Sequence, residues 1–178
     1  PCDAVEARKA TIAAAKSGTP VYIRLAREKT AVMTTDDTPF EIGRGQVYFD
    51  PPVGTPDVCI IATGALLHKA LKVASELEKE KIGIRVVNLA TVKPLDDKLL
   101  IKCAKECGAV VTVEEHQVAG GMGSAVAELL AKEYPVPMEF VGVRDVFGQS
   151  GTPEELLEHY GMGEGHIREA VQKVLGRK

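Results

Sequence analysis

Two short stretches hold the residue types that do chemistry. In the first, Glu114, Glu115 and His116 stand together and are followed by Gly120, Gly121 and Gly123. Carboxylates and an imidazole can move protons, and a glycine-rich helix start can cradle an anion on its free N–H groups. The run is neither a GxGxxG fingerprint nor a P-loop, and no acidic residue marks a ribose site after a second strand. Spacing alone therefore leaves two readings open, a small-molecule site and a packed or interfacial loop. The second stretch holds Arg24 and Arg27. Guanidinium forks match phosphate oxygens, so the pair can grip a phosphate group. On a straight strand the two side chains would point to opposite faces, so a joint grip requires a break near Leu25. Solvated or ion-paired arginines are the plainer reading of the same residues.

The other candidates carry less. His68, His159 and His166 fall in expected helices or their caps without metal-ligand spacing, and are read as surface residues. The four cysteines, Cys2, Cys59, Cys103 and Cys107, include no CxxC pair. Neither a zinc knuckle nor a thioredoxin-type redox site is indicated. Cys103 and Cys107 are spaced to share one helix face, and buried thiols acting as small apolar residues are expected. No metal site is expected.

The elements that must position these groups can be read from periodicity. Asp3 to Lys16 reads as a helix, with alanines at helical spacing, stopped by Ser17, Gly18, Thr19 and Pro20. Val21 to Leu25 reads as a strand. This α–β pair is too short to bury its own apolar surface and reads as the tail of a preceding domain. From about Glu28 to Asp57 turn formers dominate, including Gly43, Gly45, Pro51, Pro52 and Gly54, with one strand at Gln46 to Phe49. Beyond Asp57 strands and helices alternate. Val58 to Ala62 is a continuous apolar run, as expected of a strand covered on both faces. A helix follows with Leu67, Ala70, Leu71, Ala74 and Leu77 on one side. Next come a strand over Ile84 to Leu89, and a helix with Asp96 as N-cap and Gly108 as its end. Further strands are expected over Ala109 to Val113 and Met138 to Val143, with a helix over Ser124 to Lys132 between them. A short helix opens on Thr152 and Pro153, and a last one spans Glu164 to Leu175. Such βα units imply an α/β fold, an open and mostly parallel sheet with helices on both faces. The glycine-rich stretch then falls at the carboxyl end of a strand, where ligands bind open parallel sheets.

Composition sets outer bounds. The chain has 178 residues, 45% of them hydrophobic and 26% charged, enough for one sizeable core. A formal charge of -3 argues against a nucleic-acid partner. No apolar run approaches the roughly 20 residues of a membrane span, and no leader pattern opens the chain. A soluble cytoplasmic protein is the default. The chain begins with Pro1, not Met, and a helix is expected almost at once, which reads as a fragment, a processed product or a cloning choice.

In order along the chain, the run Ile23 to Arg27, Thr63-Gly64, Lys93 to Asp96, Glu114-Glu115-His116 with Gly120-Gly121 and Gly123, and Gly148 to Leu157 resembles transketolase. The resemblance is strongest to the C-terminal section of transketolases split into two chains. It implies that residues 1–35 are the tail of the pyrimidine-binding domain, 36–56 a linker and 57–178 the transketolase C-terminal domain. It implies ketol transfer between sugar phosphates, with thiamine diphosphate and Mg2+ bound mainly by segments absent here. No Gly-Asp-Gly motif occurs, and the segment that would carry the activating glutamate precedes Pro1, so the chain alone is expected to be inactive. The expected partners are an N-terminal transketolase segment or subunit and a second copy in a dimer.

By the same resemblance Arg27 aligns with the arginine that holds the substrate phosphate, while Arg24 matches only some members. The loop of Glu114, Glu115 and His116 would serve domain and subunit contacts. 1-Deoxyxylulose-5-phosphate synthase shares much of the same run and is the nearest alternative. A non-catalytic nucleotide-binding, effector-binding or assembly module is the alternative of another class.

Overall fold

A computed structural model describes residues 1–178. Its framework is a five-stranded sheet in the order β1-β3-β2-β4-β5. The strands are β1 (Gln46–Phe49), β2 (Val58–Ala62), β3 (Ile84–Asn88), β4 (Val110–Gln117) and β5 (Met138–Val143). β1 is antiparallel to β3, and the other pairings are parallel. The helices are α1 (Ala4–Lys16), α2 (Leu67–Lys79), α3 (Asp97–Cys107), α4 (Met122–Glu133), α5 (Pro153–His159) and α6 (Glu164–Leu175), and a single 3-10 turn (Gly64–Leu66) precedes α2. No helix is long and apolar enough to cross a membrane.

The apolar runs become central strands because both of their faces are covered. Alternation along a strand sends Val58, Ile60, Ala62, Val86, Val111 and Val113 to one face, against α2 and α6 through Leu67, Val73, Leu77, Ile167 and Val171. Cys59, Ile61, Val87 and Val110 point the other way, against α3 and α4 through Leu100, Cys103, Cys107, Val126 and Leu130. Each such side chain taken from water contributes about 1.5–3 kcal/mol, and these two layers carry the fold. All four cysteines are free and buried. Neighbouring thiols of Cys103 and Cys107, together with burial, push the Cys59 thiol well up, which suits a packing role rather than a reactive one.

Expected punctuation is present. Asp96 caps α3, accepting from the Leu99 N–H at 3.2 Å, and also accepts from the Gly45 N–H at 3.2 Å. Gly108 closes α3 with φ 68°, a left-handed conformation that favours glycine. Thr152 and Glu155 form the reciprocal cap that starts α5. β1 forms within the turn-rich stretch and becomes an edge of the sheet. Arg85 on β3 holds its end by donating to both carboxylate oxygens of Asp50, at 2.9 and 2.8 Å, while also pairing with Glu106.

Several expectations need correction. Val21 to Leu25 forms no strand, and residues 18–34 enter no backbone–backbone hydrogen bond. A strand exists only with a partner, and none of the five strands lies beside this one. β4 runs on to Gln117, and α4 starts at Met122, two residues before the expected Ser124. His166 is half-buried rather than a surface residue, with Nδ1 3.6 Å from the Glu158 carboxylate.

α1 is docked by polar contacts that periodicity does not reveal. Asp3, its N-cap, accepts from the N–H groups of Glu6, Met33 and Thr34 and from the Thr34 hydroxyl, all at 2.7–2.9 Å. Burial alone would raise its carboxyl, but these donors outweigh it and hold it below the usual range. Glu6 accepts from the Asn88 amide at 2.7 Å and from the Cys2 N–H at 2.6 Å, joining α1 to the carboxyl end of β3.

Candidate functional site

The carboxyl ends of β2, β3 and β4 open into a cleft of about 740 Å³. Its walls are the turn after β2 (Thr63 to Ala65), the loop after β3 (Ala90 to Pro94), the end of β4 (Glu114 to His116) and the turn into α4 (Gly120 to Met122). The irregular segment from Thr19 to Arg27 lies across it. Arg24, Arg27, Glu114, Glu115, His116, Gly120 and Gly121 thus line one cleft although they are far apart in sequence. Gly123 does not line it; it is buried, and a Cβ there would come within 2.5 Å of the Thr112 hydroxyl and 2.9 Å of the Phe140 ring.

Glu114 is buried and both of its oxygens are engaged. Oε2 accepts from the Met122 N–H at 2.7 Å and Oε1 from the Gly123 N–H at 2.8 Å. A carboxylate there satisfies the free donors of the first turn of α4 and suits the positive end of its dipole. The glycines make room for it, since a Cβ on Gly121 would collide with Glu114 and with the Gln117 carbonyl. The anion cradle expected at Gly120 to Ser124 is therefore filled by the chain itself. Nor does Glu114 offer a carboxylate to solvent for proton transfer, because it serves as a cap. An acidic residue ending an apolar strand just before a Gly-Met-Gly helix start was the available signal.

Glu115 and His116 are exposed. His116 Nδ1 lies 2.9 Å from the Gln117 carbonyl. A carbonyl only accepts, so Nδ1 is the donor in this contact. Its Nδ1 is 4.0 Å from Glu114, a distance for attraction but not for a hydrogen bond.

The two arginines are deployed differently. Arg24 donates from Nη2 to the Glu115 carbonyl at 2.6 Å. Arg27 sits at a bend, its side chain 96% exposed and its nearest carboxylate, Glu28, 4.0 Å away. With Lys93 also on the walls, the three cations Arg24, Arg27 and Lys93 offer the cleft more positive charge than its one solvent-facing carboxylate, Glu115, can balance, which suits an anionic group. A neighbouring cleft of about 580 Å³ shares Ala26, Arg27, Ala65 and Glu115 with it.

A mostly parallel sheet of this order, opened at its carboxyl ends under an arginine-bearing segment, defines a class. The family model "Transketolase, C-terminal domain" matches residues 48–167, and the chain belongs to that family. It is 38% identical over its whole length to the 6-deoxy-6-sulfo-D-fructose transketolase subunit SqwH of Clostridium sp. (strain MSTE9), covering 54% of that protein. It is 36% identical over 173 residues to the transketolase of Rattus norvegicus, covering 97% of this chain and 27% of that enzyme. Among solved structures, a split gene transketolase described as an inactive beta4 tetramer superposes with TM-score 0.92 at 48% identity. That match covers 99% of this chain and 56% of the other. The chain therefore spans about half the length of its subunit-type relatives and about a quarter of the rat transketolase.

Proposed function

We propose that this chain is the C-terminal part of a thiamine-diphosphate-dependent transketolase, which passes a two-carbon ketol unit between sugar phosphates in the cytoplasm. It acts only with a complementary N-terminal segment or subunit, in an assembly containing at least two copies. The observation that carries the reading is Arg27, an exposed guanidinium whose nearest carboxylate, Glu28, is solvent-facing and 4.0 Å away, held over a positively charged cleft at the carboxyl end of the sheet. Incompleteness is supported by residues 18–34. They include a Val-Tyr-Ile-Arg-Leu run of strand-forming residues that makes no backbone–backbone hydrogen bond and leaves Val21, Tyr22 and Leu25 exposed. A sheet in the complementary part would pair that run and cover it. The relative solved as a β-subunit tetramer is described as inactive, which agrees with this.

Transketolases use thiamine diphosphate to stabilise the carbanion left when the ketose is split. The residues present do not fit its diphosphate, because Glu114 already occupies the glycine-rich helix start. Cofactor binding is accordingly assigned to the complementary part. The contribution of this chain is to orient substrate: Arg27 pairs with the distal phosphate, bidentate and charge-assisted, and fixes the other end of the sugar.

The test is ketol transfer from xylulose 5-phosphate to ribose 5-phosphate with thiamine diphosphate and Mg2+. The chain is assayed alone and in the complex that copurifies with it. Activity only in the complex is expected. Absence of transfer in an intact complex, or use of pyruvate as donor instead, would refute the reading. In the active complex Arg27→Ala should raise KM for phosphorylated donors by about 10- to 100-fold, the worth of a charge-assisted pair.

A further inference from the structure

We propose that Arg24 is a positioning residue that anchors the Arg27-bearing segment to the carboxyl end of β4, and that it does not itself hold the phosphate. The inference rests on the reading of Arg27 just given. Residues 18–32 carry no backbone ladder, and one hydrogen bond joins them to the rest of the molecule beyond Ser17: Arg24 Nη2 to the Glu115 carbonyl, 2.6 Å. The other contacts of this stretch are local, Thr19 with Ser17 and Arg27 with Glu28.

The anchor point is itself held from both sides. Glu114, one residue before, is pinned by two N–H groups of α4. One residue after, the His116 ring bonds to the Gln117 carbonyl. Gly142 of β5 passes so close that a Cβ there would lie 2.8 Å from the His116 carbonyl and 3.2 Å from that of Glu114. The Glu115 carbonyl is thus a fixed acceptor at the end of a strand. Arg27 follows Arg24 by three residues, and an extended chain spans at most about 3.5 Å per residue. Fixing Arg24 therefore confines the Arg27 backbone to within about 10 Å of the anchored residue. A guanidinium already committed to a carbonyl is poorly placed to offer its fork to a phosphate.

Positioning and direct binding differ in additivity. In the complete two-part enzyme Arg24→Ala should raise KM for phosphorylated donors about tenfold, the worth of one hydrogen bond from a charged group, with a smaller change in kcat. Arg24→Lys, whose single ammonium can still reach the carbonyl, should keep most of the wild-type KM. Arg24→Ala with Arg27→Ala should be no worse than Arg27→Ala alone, because an anchor without its cargo has nothing left to place. Additive losses would overturn the proposal and make Arg24 a phosphate ligand.

A second measurement on this chain separates the anchor from the phosphate reading. Chymotryptic cleavage after Tyr22 and Leu25 should be several times faster in Arg24→Ala than in wild type, at matched thermal stability. Unchanged cleavage would show that no anchor exists. Faster cleavage with an unaltered KM in Arg27→Ala would keep the anchor and reject the phosphate contact.

Discussion

The side chain of Tyr48, on the edge strand β1, ends in a buried hydroxyl near the Asn88 side chain, and neither that hydroxyl nor the Asn88 amide oxygen makes a hydrogen bond of good geometry. Burial pushes the phenol up to about 12. A hydroxyl taken from water without a partner destabilises the native state. Tyr48→Phe, which removes it and keeps the ring, should leave stability unchanged or raise it by about 1 kcal/mol; urea unfolding of the two proteins measures this, and a clear loss would mean the hydroxyl is satisfied after all. Residues of this kind were not legible in the sequence. Nothing in the spacing of Cys2, Glu6, Tyr48 and Asn88 shows that they meet, because only the docking of α1 on the end of β3 brings them together. Arg27 was legible only through resemblance. Had the expected strand continued straight past Leu25, Arg27 would have faced away from Arg24; the structure has no strand there and a bend at Arg27.

Elements were read more successfully where their burial is self-contained. Val58 to Ala62 and Ile84 to Asn88 are strands because apolar residues face both ways, and that signal lies wholly within each run. Val21 to Leu25 has comparable strand character, but no strand of the sheet lies beside it, so it stays irregular. Extending β4 to Gln117 and starting α4 at Met122 were missed for a shared reason. The polar residues Glu114 to Gln117 look like loop, yet Glu114 is pulled inward by the helix start it caps. That cap is testable. Glu114→Ala would leave the Met122 and Gly123 N–H groups buried without acceptors and should cost about 2–4 kcal/mol. A loss below about 0.5 kcal/mol in chemical denaturation, the scale of an ordinary surface substitution, would refute the cap. The variant should also disturb the Glu115 carbonyl, so its effects on segment 18–32 would resemble those of Arg24→Ala.

For the molecule as a whole, α1 is joined to the sheet domain through carboxylates, and this gives the assembly an acid limit. The Asp3 carboxyl is held below its ordinary value by the donors around it, against the opposing effect of burial. Glu139 is held down in the same manner, with burial opposing and Lys173 and Arg177 lowering it. A group depressed in the folded state contributes stability that is complete above its unfolded value. That contribution is lost as pH falls through the folded one. Stability should therefore be flat near neutrality and drop below about pH 4, the ordinary carboxylate range. Asp3→Asn should start less stable and lose less on acidification, the remaining loss belonging to Glu139. Thermal midpoints between about pH 6 and about pH 3 for the two proteins decide this; parallel curves would remove Asp3 from the account.

The placement of β1 sets an order of assembly. It precedes β2 along the chain, yet its only ladder is with β3, so during vectorial synthesis it emerges with nothing to template it. The βα unit from β2 to β3 must be complete before the edge can add, and α1 has no seat until Asn88 at the end of β3 is in place. The N-terminal region is therefore made first and committed last. Until then the arginine-bearing segment has no anchor on this sheet, and it receives that anchor from strands already paired.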